Sequence, residues 1–195
     1  QKYPDVSVQL QVHSTRRTGW SVANGQIDLA IIGGQLPSDL ENLLQIIPYA
    51  TDELALVLPT KHPLSNKKEL LKEDLYKLNF VTLDTQSTTR KVVDRLLQDS
   101  GLEIQRLKIE MELNSLEAIK NAVQSGLGAS FLPVVSIERE LAAGTIHKAF
   151  VADLEVEREL KLITNPSRYT SRASEVFKKN ILPQFASLNS PLRKL

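Results

Sequence analysis

Leu54-Ala55-Leu56-Val57-Leu58-Pro59 is an apolar run closed by proline. A strand with one wet face alternates apolar and polar residues, whereas an unbroken short run suits a strand buried on both faces. Such a strand needs helices on either side, so the flanking sequence should alternate strands with helices. Upstream, Ile27-Asp28-Leu29-Ala30-Ile31-Ile32 is a second nearly continuous apolar run, ended by Gly33-Gly34 and Pro37. A short helix leading to Gly25 precedes it. Further back, Val6, Val8, Leu10 and Val12 alternate with Ser7, Gln9, Gln11 and His13, which predicts a half-buried strand. The polar turn Ser14-Thr15-Arg16-Arg17 follows that strand.

Downstream the alternation continues. Lys61-His62-Pro63-Leu64 reads as a turn and residues 68–77 as an amphipathic helix. Phe80-Val81-Thr82-Leu83 reads as a strand. The polar loop Asp84-Thr85-Gln86-Ser87-Thr88-Thr89 then opens a helix carrying Val92, Val93, Leu96 and Leu97, closed by Gly101. A strand is expected over 104–112. Asn114-Ser115-Leu116-Glu117 has the N-cap and N3 residues of a capping box, with asparagine in place of the usual serine or threonine. The helix it starts runs to Gly126. A strand at 129–133, a helix from 135 to Gly144, strands at 145–150 and 156–164, and a last helix over 173–185 complete the chain. The order predicts an α/β fold with largely parallel sheets.

The 195 residues suit one medium domain or two small ones. Lysine and arginine number 24 against 23 acidic residues, a balance that argues against this segment gripping nucleic acid by itself. Cysteine is absent, which removes disulfides and thiolate chemistry and fits a reducing cytoplasm. No apolar run approaches the roughly 18 residues that cross a bilayer. Residues 1–5 resemble no signal peptide, and the start without methionine points to a longer parent.

Three stretches together resemble the effector-binding domain of LysR-type transcription regulators. They are Ser14-Thr15-Arg16 with Asn24-Gly25-Gln26-Ile27-Asp28-Leu29-Ala30-Ile31, Glu53 to Pro59 with His62-Pro63-Leu64, and Asn114 to Ile119 with Gly126 to Pro133. Within that family, residues 9–17 and 106–128 look like the RuBisCO-operon regulators of cyanobacteria and plastids, a group that includes regulators of inorganic-carbon uptake. The resemblance implies two Rossmann-like α/β lobes joined by two crossing strands, like a type 2 periplasmic binding protein. Lobe one would comprise 1–57 plus 165–195, and lobe two 58–164. It also implies that the DNA-binding helix-turn-helix, and the first strand and helix of lobe one, are missing ahead of Tyr3.

Ligands of open α/β sheets sit beyond the carboxyl ends of the strands. Thr15-Arg16, Ser87-Thr88-Thr89-Arg90 and Asn114-Ser115 fall at such ends. Helix N-termini there offer free N–H groups and a positive dipole end. Hydroxyls add donors, and Arg16 or Arg90 adds a bidentate cation. With Phe131 as a wall, these residues form the candidate effector site for a small carboxylated or phosphorylated metabolite. The resemblance implies ribulose bisphosphate, phosphoglycolate, 2-oxoglutarate or NADPH, with no cofactor. It implies a homodimer or homotetramer in the cytoplasm or plastid stroma, touching DNA only through the missing head and touching no membrane.

Each residue also has a purely structural reading. Ser87 and Asn114 can be plain helix caps, Thr15 a turn residue, the arginines solvated charges, and Phe131 and Trp20 packing. Catalysis has little support. His13, His62 and His147 are scattered, no nucleophile elbow, P-loop or dinucleotide fingerprint occurs, and Asp52-Glu53 reads as surface charge. A transporter-type solute-binding protein and a small-anion enzyme of the same two-lobe plan remain open as alternatives.

Overall fold

The computed structural model describes residues 6–183. The chain divides into two compact units, 1–51 with 159–195 and 52–158. The division falls earlier along each crossing strand than the sequence suggests (after residue 51 rather than 57, and after 158 rather than 164). Those crossings are β2 (Gln45–Pro59) and β7 (Glu157–Thr164).

The second unit explains the apolar run. Its other strands are β3 (Asn79–Leu83), β4 (Lys108–Leu113), β5 (Ser130–Pro133) and β6 (Ile146–Ala149). Its helices are α3 (Thr88–Asp99), α4 (Leu116–Gln124) and α5 (Val134–Ala142). Side chains of a strand point alternately to opposite faces. Leu54, Leu56 and Leu58 enter one core with Phe80 and with Val93 and Leu97 of α3. Val57 enters another with Val81, with Ile119 and Val123 of α4, and with Ile137 of α5. Both faces of β2 are therefore dry over residues 54–58, as the missing alternation requires.

Strand direction departs from expectation. β3 and β4 are parallel, and Phe80 and Ala129 make a parallel bridge. β2, however, runs antiparallel to both β5 and β6. An apolar run reports burial on two faces and carries no information about the direction of its neighbours. Two close approaches hold this unit together. A Cβ on Gly128 would lie 2.7 Å from the Asn79 carbonyl oxygen, so only glycine fits beside β3. Lys120 of α4 reaches Glu140 and the Ser136 carbonyl of α5. Its bond to Glu117, then that to Glu140, raises its pKa above the ordinary lysine value, and Glu140 is correspondingly lowered by Lys120.

In the first unit, α1 (Thr15–Ala23) precedes β1 (Leu29–Ile32), which runs antiparallel to β7. The short α2 (Ser38–Glu41) follows, and α6 (Arg172–Asn180) comes after β7. Val22, Ile32, Leu36, Leu40, Leu44 and Ile163 form its core. The expected end of the last helix, at residue 185, lies outside the described residues.

Three local expectations are corrected. Residues 6–13 form no strand, and Leu10 is 88% exposed. Alternation supplies an apolar face, but a strand also needs a hydrogen-bonding neighbour, and none of the described residues provides one. Residues 68–77 form no full helix. Leu70 makes a bridge to Val151, and only Lys72–Lys77 winds into a 3₁₀ turn. Residues 104–106 are likewise a 3₁₀ turn, so the strand there starts only at Lys108.

Candidate functional site

β3 and β4 end at the same level. Leu83 pairs with Leu113, and the Asp84 N–H donates to the Leu113 carbonyl at 3.0 Å. Each strand then runs into a helix, β3 into α3 and β4 into α4. Two helix N-termini consequently open from one strand edge, each with a positive dipole end. Asp84 shapes the first connection by accepting the Gln86 N–H at 2.8 Å.

Ser87 is the N-cap of α3 and accepts the Arg90 N–H at 3.5 Å, a long bond. Thr88 and Thr89 form its first turn, both half-buried. On the other helix the cap is displaced by one residue from the capping-box reading. Ser115, not Asn114, holds the N-cap position, and its side chain makes no capping bond. Glu117 is thereby shifted out of reach of the cap and pairs with Lys120 instead. Asn114 and Ser115 are both exposed at this edge.

Arg90 sits differently from a free cation. It is buried, its Nε donates to both carboxylate oxygens of Asp94, and Nη1 reaches Thr82, the Leu83 carbonyl and Glu112. Two carboxylates balance its charge, so its evident work is to bind α3 to the ends of β3 and β4. Phe131 is half-buried, and its ring stacks on Phe80 at 6.2 Å. Thr89, Arg90 and Phe131 line one small pocket together with Thr82, Ser130 and Phe80. Thr15 and Arg16 belong to the first unit. Thr15 is buried as the first residue of α1, Ser14 caps that helix, and Arg16 is exposed.

Sequence reasoning missed Asp52 and Arg158. Asp52 was assigned to the surface, yet it is 4% exposed and accepts Arg158 Nε at 2.9 Å and Nη2 at 2.6 Å. Arg158 Nη1 donates to Thr89 Oγ1 at 2.8 Å. No local signal could have found this pair, because the partners lie far apart in sequence. Among the described residues no cluster of histidine or carboxylate side chains could hold a metal ion.

An α/β chain of two units, crossed twice by its own strands, has the architecture of a type 2 periplasmic-binding-protein-like ligand-binding domain. The chain belongs to the family described as the LysR substrate binding domain, which it matches over residues 1–186. It is 58% identical over 187 residues to a probable RuBisCO transcriptional regulator of Synechocystis sp., covering 96% of this chain and 54% of that one. Its identity to a probable RuBisCO transcriptional regulator of Porphyra purpurea is 57%, over 96% of this chain and 59% of that one. The chain thus spans little more than half the length of these relatives. Among solved structures it resembles the Synechocystis CcmR regulatory domain in complex with 2-PG. That match has a TM-score of 0.80 and 23% identity, over 95% of this chain and 86% of the other. The effector binding domain of QuiR in complex with shikimate gives a TM-score of 0.73 at 21% identity, over 91% and 80%.

Proposed function

We propose that this chain is the effector-sensing part of a LysR-type transcription regulator of carbon-fixation or carbon-concentrating genes. The observation that carries the site is the level ending of β3 and β4, which sets the first turns of α3 and α4 side by side at one strand edge. Such an edge favours an anion, because the positive dipole ends of two helices face it. Ser87, Thr88, Thr89, Asn114 and Ser115 supply the polar side chains there, and Phe131 backs the pocket below. Within the first unit taken by itself, Thr15 and Arg16 stand at the start of α1 as candidate effector contacts. Arg90 acts as the organiser of the edge.

The names of the relatives support the regulatory reading over both the transporter-type and the catalytic ones. The effector class follows the same line. CcmR is seen with 2-PG, and this chain would take a comparable small phosphorylated or carboxylated metabolite, with ribulose bisphosphate, 2-oxoglutarate and NADPH as competitors for the role. The protein works as a homo-oligomer in the cytoplasm or plastid stroma, reaches DNA through a head outside this chain, and needs no cofactor. No described helix is long and apolar enough to cross a membrane.

Calorimetric titration of 2-PG into the wild type and into Thr88→Ala, Asn114→Ala and Ser115→Ala tests the site. Loss of an anion's hydrogen bond should weaken binding about tenfold, or about 1.4 kcal/mol, per position. Unchanged affinity in all three would move the site elsewhere.

A further inference from the structure

Asp52 is the first residue of the second unit and Arg158 is its last. The chain enters that unit along β2 and leaves it along β7, so an ion pair between these two residues latches the entrance to the exit. The pair is well shielded, with side-chain exposures of 4% for Asp52 and 15% for Arg158. Just inside it, the Leu54 N–H donates to the Val156 carbonyl at 2.7 Å, which continues the latch along both strands. Arg158 has a third attachment. Its Nη1 donates to Thr89 Oγ1 in the first turn of α3. One guanidinium therefore joins the proposed effector edge to both connecting strands.

We propose that Arg158 is a positioning residue that transmits occupancy of the edge to the strands linking the two units. The proposal rests on the effector reading above. Asp52 already balances the Arg158 charge, which argues for transmission and against direct capture of the anion. Thr89 Oγ1 accepts from Arg158, so its own hydroxyl proton is left for another acceptor. A hydroxyl polarised by a cationic donor gives a stronger hydrogen bond, and the strengthening runs both ways along the chain of bonds. An anion accepting from Thr89 would tighten the grip of Thr89 on Arg158, and with it the latch. Because coupling is reciprocal, stiffening the latch must equally favour the anion.

Amide hydrogen exchange with and without saturating 2-PG tests this in the wild type, in Arg158→Lys and in the double variant Asp52→Asn/Arg158→Gln. The double variant removes both buried charges together and so leaves none unpaired. Lysine keeps the charge but lacks the fork by which Arg158 holds Asp52 through Nε and Nη2 and Thr89 through Nη1. In the wild type, 2-PG should slow exchange at least fivefold both in the first turn of α3 and at residues 52–54 and 156–158. In both variants the α3 protection should persist while the response at 52–54 and 156–158 disappears. A response there that survives in the variants overturns the proposal, as does wild-type protection confined to α3. Loss of 2-PG binding by folded variants would make Arg158 a direct contact and overturn its positioning role. Absence of α3 protection in the wild type would instead defeat the reading that 2-PG binds at this edge, and this proposal with it.

Discussion

At the scale of single residues, two charged groups show how burial changes the meaning of a side chain. Arg90 is committed to Asp94 and Glu112, whose side chains remain 28% and 43% exposed. Breaking a buried ion pair costs several kcal/mol, but water at the two acids reduces that here. Arg90→Leu should therefore lower stability by about 1–3 kcal/mol in urea unfolding. Lysine should not restore it, since it lacks the fork that reaches two carboxylates. Asp74 gives a pH signature. Its buried carboxylate is held well below the usual range, first by Lys77, then by the Leu71 N–H and Lys67. A depressed carboxyl stabilises the fold above its unfolded value of about 4, and that stability drains away as pH falls toward the folded value. Asp74→Ala should cost about 1–2 kcal/mol, the size of a lost helix cap, across pH 5 to 7. The gap from wild type should narrow below pH 4.

At the scale of elements, the two faces of β2 carry different debts. Leu58→Ala opens one core and should cost about 2–5 kcal/mol, whereas Val135→Ala, exposed on α5, should change stability by less than about 0.5 kcal/mol. Gly128→Ala should also destabilise strongly, because its methyl would meet the backbone of β3 rather than a movable side chain. These elements also mark what the sequence makes legible. Continuous apolar runs disclosed β1 and β2, and Ser87 disclosed the start of α3, because burial and capping are local properties. Strand direction, the fate of residues 6–13 and the true cap of α4 depend on which neighbour is present, and no local pattern encodes that. The Asp52–Arg158 pair was hidden for the same reason, being joined only when β2 and β7 are brought together at the ends of the second unit.

At the scale of the whole molecule, the family and its fold were readable from three motifs spread over the chain, and the match over residues 1–186 supports that reading. The central claim is that a small anionic metabolite binds this chain at the edge of β3 and β4. Thermal unfolding against 2-PG, ribulose bisphosphate, 2-oxoglutarate, NADPH and sulfate tests it most directly. A ligand at 100 times its dissociation constant should add about 2.7 kcal/mol. The account predicts a selective upward shift with one phosphorylated or carboxylated metabolite and at most a weak one with sulfate. Equal shifts with every anion, or none with any, would contradict it.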